Sequence, residues 1–130
     1  KYPATAKPRK ITPVAGRKGD NCTTTCRQSN MACHSGYSKD VNTCEVLTRL
    51  FGAERCANGC SLGFFGNDLP AYNHQHKMCL LNQKPAEYKI NCDLGQVDSE
   101  RVCPCGDIVS EWLNHDWITR QGLYEYKKQK

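Results

Sequence analysis

The residues best placed to do chemistry in this 130-residue chain are ten cysteines: Cys22, Cys26, Cys33, Cys44, Cys56, Cys60, Cys79, Cys92, Cys103 and Cys105. Thiols in such numbers either ligate a metal or pair as disulfides. The close pairs Cys22/Cys26, Cys56/Cys60 and Cys103/Cys105 invite a metal reading, but structural zinc sites favour C-x2-C knuckles and the chain has none. An even count at about 8% of the residues is instead the composition of a disulfide scaffold. We therefore expect five disulfides and no metal. Cys103 and Cys105 flank a single proline, where a mutual bridge would be badly strained, so each must bond to a different and distant partner. Otherwise about 945 pairings are open to ten cysteines.

The remaining candidates are weaker. His74-x-His76 could turn two imidazoles toward one side of a strand, with His34 and His115 as further ligands, yet no cysteine or carboxylate is left over to complete a site, and we read surface histidines. Asp98 with Glu100, and Glu111 with Asp116, have the residue types of a glycosidase pair but read as solvated surface acids. His115-Asp116 comes without a G-x-S-x-G elbow, and no glycine-rich nucleotide loop is present. The expectation is no catalytic residue, no cofactor and no enzymatic activity.

Binding is better served. Lys7, Arg9, Lys10, Arg17 and Lys18 form a basic segment able to hold an acidic glycan, an acidic protein or anionic lipid, with affinity that falls as salt rises. Tyr124 and Tyr126, beside lysines, could grip a protein groove or stack on sugar rings. Asn21-Cys22-Thr23 is an N-x-T sequon, which makes Asn21 a candidate glycosylation site. Lys18-Gly19-Asp20 is similar to short adhesive tripeptides but reads first as a turn.

These residues need a frame. The formal charge is +5, but residues 1–20 carry +5 and residues 124–130 carry +2, so the chain between them is about −2 and is not itself basic. Only three Phe and two Trp are present, too few for a thick apolar core, so stability should be largely covalent. Five bridges imply an oxidising compartment, outside the cell or in the secretory lumen. No apolar run is long enough for a membrane span, and residues 1–20 lack a leader's apolar stretch, as in a processed product.

Along the chain, residues 1–20 read as an extended basic arm and 21–106 as a cysteine-rich domain. Cys22, Cys26 and Cys33 fall on one side of a helical wheel, which predicts a helix that starts at Asp20 or Asn21 and ends before Gly36. Asn42 as N-cap with Glu45 three residues on predicts a second helix that stops at Gly52. Residues 61–73 read as an ordered loop, and Met78–Leu81 with Tyr88–Cys92 as a small β-hairpin. A third helix is predicted over 107–122, packed on the domain and followed by a basic aromatic tail over 123–130.

The order of cysteines carries a further signal. Gly19-x-x-Cys22-x-x-x-Cys26, then Cys33, Asn42, Cys56, Lys77-x-Cys79, Cys92 and Arg101-Val102-Cys103-Pro104-Cys105 with Asp107-Ile108 resemble the cysteine-rich C-terminal region of type V β-1,6-N-acetylglucosaminyltransferases, Golgi enzymes that branch N-glycans. Cys44 and Cys60 stand outside that family's pattern, and the resemblance implies that they pair with each other. It also implies that the donor and acceptor sites lie in a much larger catalytic region for which this chain has no room. Taken together, the sequence predicts a small disulfide-rich α+β module with two or three short helices and a small hairpin. Its expected role is a secreted, non-catalytic binding or structural subunit of an extracellular assembly. The expected partner is an extracellular protein, a second copy of the chain or an acidic glycan, with no nucleic acid. The alternatives are a toxin- or pheromone-like effector that binds a receptor, and an accessory part of a glycan-processing glycosyltransferase.

Overall fold

The structure is a computed structural model that describes residues 10–107. Its strands are β1 (Ile11–Ala15), β2 (Ala32–Cys33), β3 (Cys60–Ser61), β4 (Ala71–Asn73), β5 (Met78–Leu80) and β6 (Ser99–Gly106). The helices are α1 (Cys22–Gln28), α2 (Ser38–Val41) and α3 (Cys44–Phe51), with a 3-10 turn at Ser35–Tyr37 ahead of α2. The six strands form one sheet in the order β1-β6-β4-β5-β3, with β2 also paired to β6. All pairs are antiparallel except β3 with β5. A disulfide-rich α+β fold is thus observed, with five bridges and no free cysteine among the described residues.

Strand β6 organises this arrangement, and local sequence signals conceal it because Pro104 sits in its middle. Proline lacks the N–H that a ladder needs. Pro104 lies opposite Pro13 of β1, a register position at which neither strand has to donate across the pair. On its other side Pro104 accepts from the His34 N–H at 2.9 Å but has none to return, and the His34 carbonyl accepts from the Tyr37 N–H at 3.0 Å instead. Strand β2 therefore stops after two residues and the chain turns into the 3-10 turn.

Several expectations are corrected. The arm expected over residues 1–20 is, from Ile11 to Ala15, a strand paired along β6. Helix α1 starts as expected, with the Asn21 side chain accepting from the Thr24 N–H at 2.7 Å, but it ends at Gln28. Cys33 belongs to β2, so its place on the helical wheel is a coincidence of spacing. The cap of α3 is Thr43, whose hydroxyl accepts from the Val46 N–H at 3.2 Å. Asn42 makes a paired bond with the Asn82 backbone across 40 residues instead. Gly52 ends α3 at φ 95°, as a glycine can. The hairpin is built from β4 and β5, not from Met78–Leu81 with Tyr88–Cys92, so the expected loop over 61–73 contains a strand. Beyond Asp107, the helix expected over 107–122 and the tail over 123–130 lie outside the described residues.

The main core gathers Cys22, Cys26, Val41, Leu47, Ile90, Val102, Cys103 and Cys105 between the helices and the sheet. Much of its volume is sulfur, as the scarcity of large apolar side chains requires. Gly16 follows β1 where α1 packs closest: a Cβ there would fall 2.4 Å from Thr25 Oγ1. A smaller cluster of Leu69, Ala71 and Leu80 lies near the other end of the sheet.

Candidate functional site

All ten cysteines are paired. Cys22–Cys103 and Cys26–Cys105 join one face of α1 to alternate residues of β6, and Cys33–Cys92 ties β2 to the loop before β6. Cys103 and Cys105 thus have different, distant partners, as the intervening proline demands. Cys44–Cys60 and Cys56–Cys79 hold α3 and the segment after it against β3 and β5, and the pairing of Cys44 with Cys60 is the one the resemblance implied. The sulfurs of Cys56, Cys60 and Cys79 lie within 4.8 Å of one another, but as members of two disulfides they are not thiolates able to ligate a metal.

Arg101 lies between the bridged helix and the loops. Its side chain is wholly buried. One guanidinium nitrogen donates to the carbonyls of Asn91, at 2.8 Å, and Leu94, and the other to Asn67 at 3.1 Å. Its Nε has no hydrogen-bond partner among the described residues. Burial lowers its pKa to about 10, against the opposing pull of Asp68, so it is charged at neutral pH. A buried guanidinium that gathers three backbone carbonyls fixes two loops at once. His34 is also buried; desolvation lowers its pKa, partly opposed by Asp107 and the Gly106 backbone.

The titratable cluster most able to do chemistry is on the β4–β6 face. Tyr72 pairs with Glu100 across the two strands. Glu100 Oε2 lies 2.6 Å from His74 Nε2 and accepts from Arg55 Nη1 at 2.9 Å. The Arg55 guanidinium stands 4.9 Å over the Tyr72 ring, which also meets His74 edge-on and Phe51 obliquely. Glu100 is 18% exposed and serves two partners, so it is not the solvated acid that the sequence suggested. This arrangement can hold a carboxylate beside an imidazole for proton exchange and offer a half-exposed guanidinium to an anionic group. Sequence reading had no signal for it, since the strand register brings His74 to Glu100 and Arg55 reaches them from the turn after α3. His76 does not join the cluster; its ring packs on Phe64.

The other expected site residues are dispersed. Asn21 serves as the cap of α1, and its side-chain amide reaches the Asp93 carbonyl at 3.5 Å. Lys10, Arg17 and Lys18 are exposed, with Arg17 3.3 Å from Asp20. Lys7, Arg9, Tyr124 and Tyr126 lie outside the described residues. No helix among the described residues is long and apolar enough to cross a membrane.

No curated protein matches the chain. The model of glycosyltransferase family 18 matches residues 4–105, a span that takes in every cysteine, strand β6 up to Cys105 and the Glu100 cluster. This match overturns the expectation of no enzymatic role, because a glycosyltransferase family points to an enzyme. The five disulfides fit an oxidising compartment, outside the cell or in the secretory lumen. With most of its length matched, the chain belongs to glycosyltransferase family 18.

Proposed function

We propose that this chain is the disulfide-locked, cysteine-rich part of a glycosyltransferase that processes N-glycans in the secretory lumen, of the type V β-1,6-N-acetylglucosaminyltransferase kind. The observation that carries this reading is the coincidence of motif and frame. The family match takes in Arg101-Val102-Cys103-Pro104-Cys105, and that motif supplies both anchors of α1 and the buried guanidinium that holds the loops. Its part in the enzyme is to present a rigid face, with the His74–Glu100–Arg55 cluster on it, to the remainder of the transferase or to its glycan. The test is purification of the natural protein without reductant, followed by assay of N-acetylglucosamine transfer from its uridine diphosphate sugar to an N-glycan acceptor. Transfer activity that co-fractionates with this chain is the expected result. A chain that fractionates away from all such activity overturns the proposal.

A second reading is supported by the exposed Lys10, Arg17 and Lys18 beside β1, which suit an acidic glycan, an acidic extracellular protein or another copy of the chain. Under this reading the chain is a secreted binding or structural subunit of an extracellular assembly, and retention on a sulfated-glycan resin should fall steeply with salt.

A further inference from the structure

Beside the β4–β5 hairpin, a cleft of about 160 Å³ opens between it and the segment 64–68. That is roughly half the low end of the range for drug-sized ligands, so it admits one ring-sized group and no more. Its walls are aromatic: Phe64 packs against the His76 ring at 5.4 Å, and Phe65 is 47% exposed. Leu69 and Leu80 line it, and Asp68 and Asn73 bring a carboxylate and an amide to it.

The segment that carries these groups is fixed with unusual care for a surface loop. The Phe64 carbonyl accepts from the Gln83 N–H at 2.9 Å. The Gly66 carbonyl accepts from the buried Asn82 amide at 3.0 Å, and the Asn67 carbonyl from Arg101 and from the Asn91 N–H. A Cβ at position 66 would come within 2.9 Å of Asp68 Oδ1, so glycine there leaves the carboxylate its place. Two fully buried polar side chains, Asn82 and Arg101, are thus committed to holding a loop that carries a partly buried Phe64 and a half-exposed Phe65. Holding a site in its binding conformation lowers the ordering cost of binding.

We infer that this cleft binds a single sugar residue of a glycan, with the apolar C–H face of the ring against Phe64 or Phe65 and hydroxyls bonded to Asp68 and Asn73. A pyranose has this division of faces, and the cleft has aromatic walls with acceptor and donor groups between them. A cation is the other ligand that suits carboxylate with aromatic groups. Here it is disfavoured, because Arg101 already acts on Asp68 and Lys84 Nζ stands 4.7 Å over the Phe65 ring. The inference rests on the glycan-processing reading only for the choice of sugars as probes.

The test is an NMR titration of the oxidised 130-residue chain with N-acetylglucosamine, mannose and galactose, each up to tens of millimolar. Amide shifts confined to residues 64–68, 73 and 76, with millimolar affinity for at least one sugar, are expected. Phe64→Ala and the near-isosteric Asp68→Asn should each weaken binding about tenfold or more, whereas Lys39→Ala, at a different cleft, should not. No shift with any sugar, shifts insensitive to both variants, or binding of tetramethylammonium at the cleft without sugar binding would overturn the inference. Transfer activity is not measured, so failure of the glycosyltransferase proposal leaves this result readable.

Discussion

The half of the molecule around α1 and the half around α3 are both held by disulfides, but by disulfides of different reach. Around α1, Cys22–Cys103 and Cys26–Cys105 close separations of 81 and 79 residues, and Cys33–Cys92 closes 59. Around α3, Cys44–Cys60 and Cys56–Cys79 close only 16 and 23. In the chain-entropy account a loop of the first size restricts the unfolded chain by about 4.5 kcal/mol and one of the second by about 3 kcal/mol. The long bridges come as neighbours, however, so the second adds much less once the first has closed. What they do beyond stabilising is join the two ends of the domain, fixing α1 on β6 and so placing Arg101 beneath the loops. The short bridges secure an element that already has a hydroxyl cap, a glycine stop and a buried Leu47.

This contrast can be broken most directly by removing bridges. Replacing Cys22, Cys26, Cys103 and Cys105 together by serine should remove about 5 kcal/mol or more, comparable with a small domain's whole stability, and leave an unfolded chain by circular dichroism. Replacing Cys44 and Cys60 should leave a folded protein weakened by about 3 kcal/mol in urea titration. If the second variant unfolds and the first does not, the assignment of the halves is reversed.

Next in size is Arg101→Leu, for which a loss of about 4 kcal/mol in urea titration is expected, because three carbonyls lose a charged donor in a buried setting. Hydrogen exchange should quicken first in residues 64–68 and 91–95. Leu47→Ala, which opens a cavity under α3, should cost about 3 kcal/mol by the same titration and speed exchange in α3 before α1.

Smaller effects sharpen the comparison. His34 has a folded pKa below its ordinary 6.5, so the unfolded chain takes up the proton first. The stability from its neutral burial is complete above pH 6.5 and declines as pH falls below it, by at most about 1.4 kcal/mol per pH unit from this group. Thermal melts of wild type and His34→Gln across that interval should diverge on acidification. Thr43→Ala should cost about 1 kcal/mol in urea titration through loss of the α3 cap.

Legibility followed the range of the interaction. Asn21 at the start of α1 and Gly52 at the end of α3 were readable because caps and stops act within a few residues of the groups they satisfy. Cys33 on a helix and Asn42 as a cap were misread because both residues are used at a distance, one in a strand pair with β6 and the other against Asn82. Strand β6 was missed because Pro104 argues against a central strand unless another proline stands opposite it. The Glu100 cluster had no local trace at all.

By itself the sequence determined that ten sulfurs would pair, that the core would be thin, and that Cys103 and Cys105 would part company, since composition and covalent geometry require nothing beyond the chain. The tertiary structure alone decided which remote cysteines meet, where Arg101 is buried, and how His74, Glu100 and Arg55 come to share one face. Those outcomes depend on strand register, and a register is a relation between segments that neither segment encodes alone.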